Sequence, residues 1–115
     1  MVDDAQIDQP LYVAKAQLFR SLGHPVRIRI LELLVIAEMP VSALRDEIGV
    51  EASSLSQHLN VLKQTGLVVA RRRGNTVTYE ITDSVVAEFL TSARRVLAST
   101  MGRTRSALEH LESQR

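Results

Sequence analysis

The sequence predicts a mainly helical domain with one small β-hairpin, and two observations support this fold class. Apolar residues recur at helical spacing in four successive segments between Pro10 and Gln64. Residues 67–82 instead alternate apolar and polar side chains around Gly74-Asn75, a pattern typical of two antiparallel strands joined by a tight turn. We therefore expect about five helices and a two-stranded hairpin within a single domain.

The composition favours a compact domain with an aliphatic core. Apolar residues make up 45% of the chain, which has two Phe, two Tyr and no Trp. Leu, Val, Ile and Ala must therefore fill the core, and a chain of 115 residues often gains further burial by forming a dimer. There is no Cys, which excludes disulfides, thiolate metal sites and thiol redox sensing.

The first residues and the apolar runs of the chain disfavour export and membrane insertion. Residues 1–9 are acidic and lack the apolar core of a secretory signal, so we expect a flexible leader there. No apolar run approaches the roughly 18 residues that a membrane span needs. Together with the absence of Cys, these features predict a cytoplasmic protein.

The predicted helices span residues 10–22, 25–37, 41–48 and 52–64, and a fifth follows the hairpin from about residue 84 to 99. These elements define a domain over residues 10–99. After Gly102 the apolar pattern continues weakly through Leu108 and Leu111, which favours a frayed or partner-bound helix in a C-terminal tail, residues 100–115.

The helix over residues 52–64 has two chemically distinct sides. Leu55, Leu59 and Leu62 fall within about 60° of one another at helical spacing. The opposite side is polar yet almost uncharged, and comprises Ser53, Ser56, Gln57, Asn60 and Gln64, with Lys63 at its edge. An ordinary solvated face prefers Glu and Lys, which are better helix formers. Short hydroxyl and amide groups instead suit a face that meets base edges, although an exposed helix with ordinary capping remains the alternative.

The positive charge of the chain gathers beside this helix. Residues 52–82 carry a net charge of +3, whereas residues 1–51 carry −3. Arg71, Arg72 and Arg73 stand at the tip of the hairpin. A charge run alone is usually a solubilising loop, but at a hairpin tip next to an uncharged polar helix it favours contact with phosphate or the minor groove.

The order of the elements indicates a winged helix-turn-helix. The helices over residues 41–48 and 52–64, joined by a turn that contains Gly49, form a helix-turn-helix unit whose second helix we name the reading helix. The hairpin formed by residues 67–82, which we name the wing, can reach phosphates that flank the bases contacted by that helix.

Three segments, "LGHPVRIRILELL", "VSALRDEIGVEASSLSQHLNVLKQTGLV" and "RRRGNTVTYEI", together resemble the ArsR/SmtB family of bacterial winged-helix repressors. The resemblance covers residues 12–99 in matching order. It implies a homodimer that binds a pseudo-palindromic double-stranded operator and blocks transcription until a signal releases it.

The residues and the resemblance together predict two functional surfaces. The expected DNA contacts are Ser53, Ser54, Ser56, Gln57, Asn60, Lys63, Arg71, Arg72, Arg73 and Asn75. The family's dimer interface uses the first and last helices, and the expected contacts there are Leu11, Leu18, Phe19, Phe89, Leu90, Ala93 and Leu97.

The sequence departs from the family at both of its well-known metal sites. One uses cysteines at the start of the third helix, where this chain has "MPVSALRD". The other uses Asp and His across paired last helices; Asp83 is present here, but Val85, Val96 and Ser99 occupy the other matching positions. We therefore expect no metal and no other cofactor, and the sequence does not identify an inducer.

Several interpretations stay open. Arg27 and Arg29 could support the backbone, pair with Glu32 or contact phosphate. His58 suits semi-buried packing better than metal binding, and His110 with nearby acidic residues gives only weak support for a metal site. No nucleophile–base pair or phosphate loop suggests an enzyme. The rival function is a dimeric winged helix that binds a protein partner.

Overall fold

The computed structural model describes residues 9–113, and its elements follow the predicted order. The helices are α1 (Leu11–Leu22), α2 (Pro25–Ile36), α3 (Val41–Ile48), α4 (Ala52–Gln64) and α5 (Val85–Ser113). The strands are β1 (Met39–Pro40), β2 (Val68–Arg73) and β3 (Thr76–Ile81). The predicted leader lies almost wholly outside the described residues. The reading helix is α4, and β2 and β3 form the wing.

The core is aliphatic, as the composition predicted. Its largest fully buried side chains come from α2, α3, α4 and the first residue of β2, and they are Ile30, Leu31, Leu44, Leu55, Leu59, Leu62 and Val68. Because the leucine stripe of α4 packs into this core, the opposite side of the same helix must face outward. The helical period thus determines which side of α4 is available to a partner.

The sheet has three strands, whereas the sequence predicted two. β1 pairs antiparallel with β3, which places β3 in the centre of the order β1-β3-β2. Only two residues long and containing Pro40, β1 suits an edge, where a missing N–H is tolerated. Thr78 lies opposite Pro40 on one side and Arg71 on the other. The side chain of Thr78 is buried.

The last helix is longer than the predicted span of residues 84–99. α5 contains 29 residues and continues through Gly102 to Ser113, a length of about 43 Å at the usual rise per residue. Its start is capped by Asp83, whose Oδ1 accepts a hydrogen bond of 2.9 Å from the backbone N–H of Val85. No helix within residues 9–113 is long and apolar enough to span a membrane.

Candidate nucleic-acid interface

A tight turn joins α3 to α4. Gly49 ends α3 with φ +76° and ψ +28°, a left-handed conformation that favours glycine. Its N–H donates to the carbonyl of Arg45 at 2.8 Å, which closes the end of α3. After Val50 and Glu51, the chain re-enters a helix at Ala52. Leu44 from α3 and Leu55 from α4 are both buried in the core, so the pair is held as one unit.

The predicted DNA-contacting side of α4 is open to solvent. Ser53, Ser56, Gln57, Asn60 and Lys63 are exposed, and Ser54 is half-buried. Within residues 9–113, none of these side chains makes a hydrogen bond or ion pair with another protein group. The reading helix therefore presents hydroxyl, amide and ammonium groups whose hydrogen-bonding capacity is not used inside the chain.

A cluster of three side chains anchors α4 to the first two helices. Arg27 in α2 donates from Nε to Nδ1 of His58 in α4 at 3.1 Å, and from an Nη to the backbone carbonyl of Ser21 in α1 at 3.2 Å. The centroids of the His24 and His58 rings lie 4.2 Å apart. Arg27 thus supports the backbone, one of the roles left open by the sequence, and His58 is a packing residue.

The protonation of His58 is disfavoured where it sits. Partial burial lowers the pKa of His58, and the nearby His24 and Arg27 lower it further. The neutral ring also fits the hydrogen bond, because Nδ1 acts as the acceptor from Arg27. The sequence indicated semi-buried packing for His58 but not its partner Arg27, since the two residues are 31 positions apart.

The wing places its arginines at the end of a two-stranded ribbon. Arg73 pairs with Thr76, as predicted, and Gly74 makes the turn with φ +65°. Arg71, Arg72, Arg73 and Asn75 are all exposed. Because strand neighbours alternate between faces, Arg71 and Arg73 share one face and Arg72 lies on the other. The side chain of Arg72 is exposed on that other face.

Two of the three wing arginines have acidic partners. Arg71 is hydrogen-bonded to Glu80, a diagonal neighbour on β3. Arg73 forms an ion pair of 3.2 Å with Glu38, the residue that precedes β1. Arg72 has no hydrogen-bond or ion-pair partner among the residues described. The ion pair between Arg73 and Glu38 was not predicted. Glu38 comes just before β1, and the sequence did not indicate that β1 joins the sheet.

The predicted dimer-contact residues lie on α1 and α5 but differ in exposure. Leu11, Phe19 and Leu97 remain 68%, 59% and 59% exposed, and Ala93 is also exposed. Leu18, Phe89 and Leu90 are partly buried against the core. Phe19 and Phe89 meet with ring centroids 5.9 Å apart, which joins the two helices within one protomer.

The described residues contain no group of three or more His, Asp or Glu side chains arranged to hold a metal. The acid retained from the family's last-helix site, Asp83, is engaged as the helix cap described above.

Arg29 forms an ion pair of 3.5 Å with Glu32 on α2, which is another of the alternatives left open by the sequence.

Known proteins share this arrangement. A family model described as a helix-turn-helix domain matches residues 22–71. The HTH-type transcriptional regulator Rv0081 of Mycobacterium tuberculosis is 46% identical over 91% of this chain and 93% of its own length. A crystal structure of Rv0081 superimposes with a TM-score of 0.79 at 47% identity, covering 84% of this chain and 98% of that one.

Two further relatives extend the likeness. A solution structure of the homodimeric winged helix-turn-helix DNA-binding domain of Mb0332 from Mycobacterium bovis, described as a possible ArsR-family transcriptional regulator, has a TM-score of 0.71 at 32% identity and covers 76% of this chain and 82% of that one. A biofilm growth-associated repressor of Xylella fastidiosa is 36% identical over 65% of this chain and 66% of its own length. These relatives are transcriptional regulators and not enzymes. The chain belongs to the ArsR/SmtB-type winged helix-turn-helix transcriptional regulators.

Proposed function

We propose that the protein is a homodimeric, cytoplasmic repressor that binds a pseudo-palindromic DNA operator through the reading helix and wing of each protomer. The observation that carries this proposal is the exposed, uncharged polar side of α4, whose side chains have no partners within residues 9–113. The opposite side of α4 is sealed in the core. A helix mounted in this way can enter the major groove with its polar side toward the bases.

The chemistry of this side suits base recognition. Gln57 and Asn60 each carry an amide that can donate and accept at once, which is the pattern offered by adenine in the major groove. Ser53 and Ser56 are short enough to allow close approach, and a hydroxyl can serve as donor or acceptor. Register and sequence choice are therefore assigned to α4, with Ser54 and Lys63 at the margins of the contact.

The wing is assigned to the DNA backbone. Arg71, Arg72, Arg73 and Asn75 are exposed at or near its tip. Guanidinium groups bind phosphate strongly and without regard to base sequence. Their contacts would supply much of the affinity and make it depend on salt, because each neutralised phosphate releases condensed counterions.

A second protomer is assigned to the exposed apolar side chains of α1 and α5. Leu11, Phe19 and Leu97 are exposed on these helices, and the ring of Phe19 on α1 contacts the ring of Phe89 on α5. Burying this surface in a two-fold dimer would remove it from water and present two reading helices. The two half-sites would then lie about one helical turn, ~10 base pairs, or a multiple apart.

The proposed regulator does not use the family's cysteine or last-helix metal sites. The chain has no Cys, and Val85 and Val96 lack metal-binding atoms at the positions that match the last-helix site. The capping hydrogen bond of Asp83 gives that carboxylate a structural role instead.

The test is a gel shift of the full chain with the DNA upstream of its own gene, alongside a scrambled duplex of equal length and composition. We expect the upstream duplex to shift at lower protein concentration than the scrambled one. A parallel pull-down examines the rival function. Capture of a protein partner that α4 substitutions abolish, with no duplex shifted at low salt, would replace this proposal by the protein-binding one.

A further inference from the structure

The two acidic partners hold the wing arginines by different edges of the guanidinium. Glu38 contacts both terminal nitrogens of Arg73: one terminal nitrogen lies 3.2 Å from Oε1, and the other donates to Oε2 at 3.3 Å. Glu80 accepts a hydrogen bond from Nε of Arg71, and within residues 9–113 the terminal nitrogens of Arg71 donate no hydrogen bond. A guanidinium has five N–H groups, so the edge that is occupied determines which ligands it can still accept.

Both terminal nitrogens of Arg73 are therefore already engaged by the carboxylate of Glu38. A phosphate uses the same paired geometry as a carboxylate at that edge, so it must displace Glu38 to bind there. Arg71 differs, because the contact with Glu80 engages its Nε and leaves both terminal nitrogens available to a phosphate beyond the wing. One carboxylate thus competes with the expected ligand, and the other orients the arginine toward it.

We propose that Glu38 is an intramolecular competitor for phosphate that sets the strength of duplex binding by the wing, whereas Glu80 is a positioning residue for Arg71. This inference rests on the proposed DNA-binding function. It assigns a role to Glu38, which lies outside the reading helix and the wing and reaches Arg73 from the segment just before β1.

The size of the effect follows from the exposure of the ion pair. The side chains of Arg73 and Glu38 are 63% and 38% exposed, so solvent screens their attraction. Exposed pairs of this kind change an equilibrium by up to about fivefold. Glu38→Gln should accordingly tighten binding to duplexes of any sequence by about two- to fivefold. The salt dependence should also steepen, since phosphate neutralisation would no longer leave an unpaired carboxylate nearby.

Removing any acid near DNA could tighten binding by general attraction, and two controls separate that effect. In an Arg73→Ala background, Glu38→Gln has no guanidinium to release and should leave binding nearly unchanged. Glu80→Gln removes the same charge from the sheet, but it frees Arg71 from its orienting contact and should not tighten binding.

The experiment is fluorescence anisotropy of the full-length variants on the upstream duplex and on a scrambled duplex, between about 50 and 200 mM salt. Tightening by Glu38→Gln that disappears in the Arg73→Ala background supports the role of Glu38. Equal tightening in both backgrounds, equal tightening by Glu80→Gln, or no tightening would overturn it while leaving the DNA-binding function intact. Failure of the unsubstituted chain to bind either duplex would overturn both.

Discussion

The reading helix and the wing differ in how their polar groups are engaged before any partner arrives. The exposed side chains of α4 make no hydrogen bonds or ion pairs within residues 9–113. In the wing, Arg71 and Arg73 are paired with Glu80 and Glu38. A contact by α4 would exchange water for base edges, whereas a contact by Arg73 would exchange one anion for another. We therefore expect sequence preference from α4 and adjustable, salt-dependent affinity from the wing.

The largest expected effect is on stability, and it tests whether one side of α4 packs in the core while the opposite, polar side is free of protein contacts. Leu59 is 1% exposed in the core, and Leu59→Ala should lower the free energy of unfolding by about 2–5 kcal/mol through reduced burial and a cavity. Gln57→Ala, on the opposite side of the same helix, should change stability by less than about 0.5 kcal/mol. Urea denaturation at one fixed protein concentration measures both. Similar decreases for the two variants would contradict the division of α4 into a core side and a free side.

The second effect concerns the wing as a whole. Replacing Arg71, Arg72 and Arg73 together by Ala should weaken binding to every duplex by about a hundredfold or more at 0.1 M salt. The slope of the logarithm of the binding constant against the logarithm of the salt concentration should become shallower by about 0.9 for each phosphate that is no longer neutralised. Of the two single substitutions Arg72→Ala and Arg73→Ala, the first should cost more, because Arg73 must leave Glu38 to bind phosphate whereas Arg72 has no acidic partner among the described residues. Binding titrations at several salt concentrations test this, and an unchanged slope would rule out phosphate binding by the wing.

A smaller but more selective effect is expected at Gln57. Its exposed amide has no partner within the described chain, so Gln57→Ala should relax sequence preference. We expect binding to the operator to weaken by about tenfold, within the range for one bidentate base contact, with little change on scrambled duplexes. Competition between the two duplexes provides the measurement. Equal weakening on both would indicate that α4 does not read bases.

The smallest effect concerns the anchoring cluster of α4. Because the pKa of His58 is lowered in the folded chain, the unfolded chain takes up the proton more readily as the pH falls through about 6.5. The contribution of neutral His58 to the free energy of unfolding is complete above that pH, and it is lost as the pH falls toward the lowered pKa of the folded chain. The melting temperature should thus fall between pH 7.5 and 5, and by less in His58→Gln. An equal fall in both proteins would assign the pH dependence to other groups.

The same two regions show how far the sequence alone can lead. The core and free sides of α4 were predictable because Leu55, Leu59 and Leu62 repeat at the helical period, and the tight turn of the wing was predictable from Gly74-Asn75. These signals are local. The contacts of Arg73 with Glu38 and of Arg27 with His58 join residues 35 and 31 positions apart, and no local pattern encodes such distances.

Two differences in the elements have equally specific causes. β1 has only two residues and contains Pro40, so it lacks the alternation that identifies a strand. It nevertheless pairs with β3 and adds a third strand to the sheet. In α5, Gly102 suggested a weakening of the helix, but one glycine costs only about 1 kcal/mol, and α5 continues unbroken to Ser113.

The most direct test of the central claim is a map of backbone amide NMR shifts of the ¹⁵N-labelled chain on addition of the upstream duplex. If the free side of α4 and the wing tip together face DNA, the largest changes will fall on residues 53–63 and 71–75. Residues Ile30 and Leu31 in the core should change little. Saturable binding that shifts other surfaces and leaves both of these segments unchanged would contradict the account.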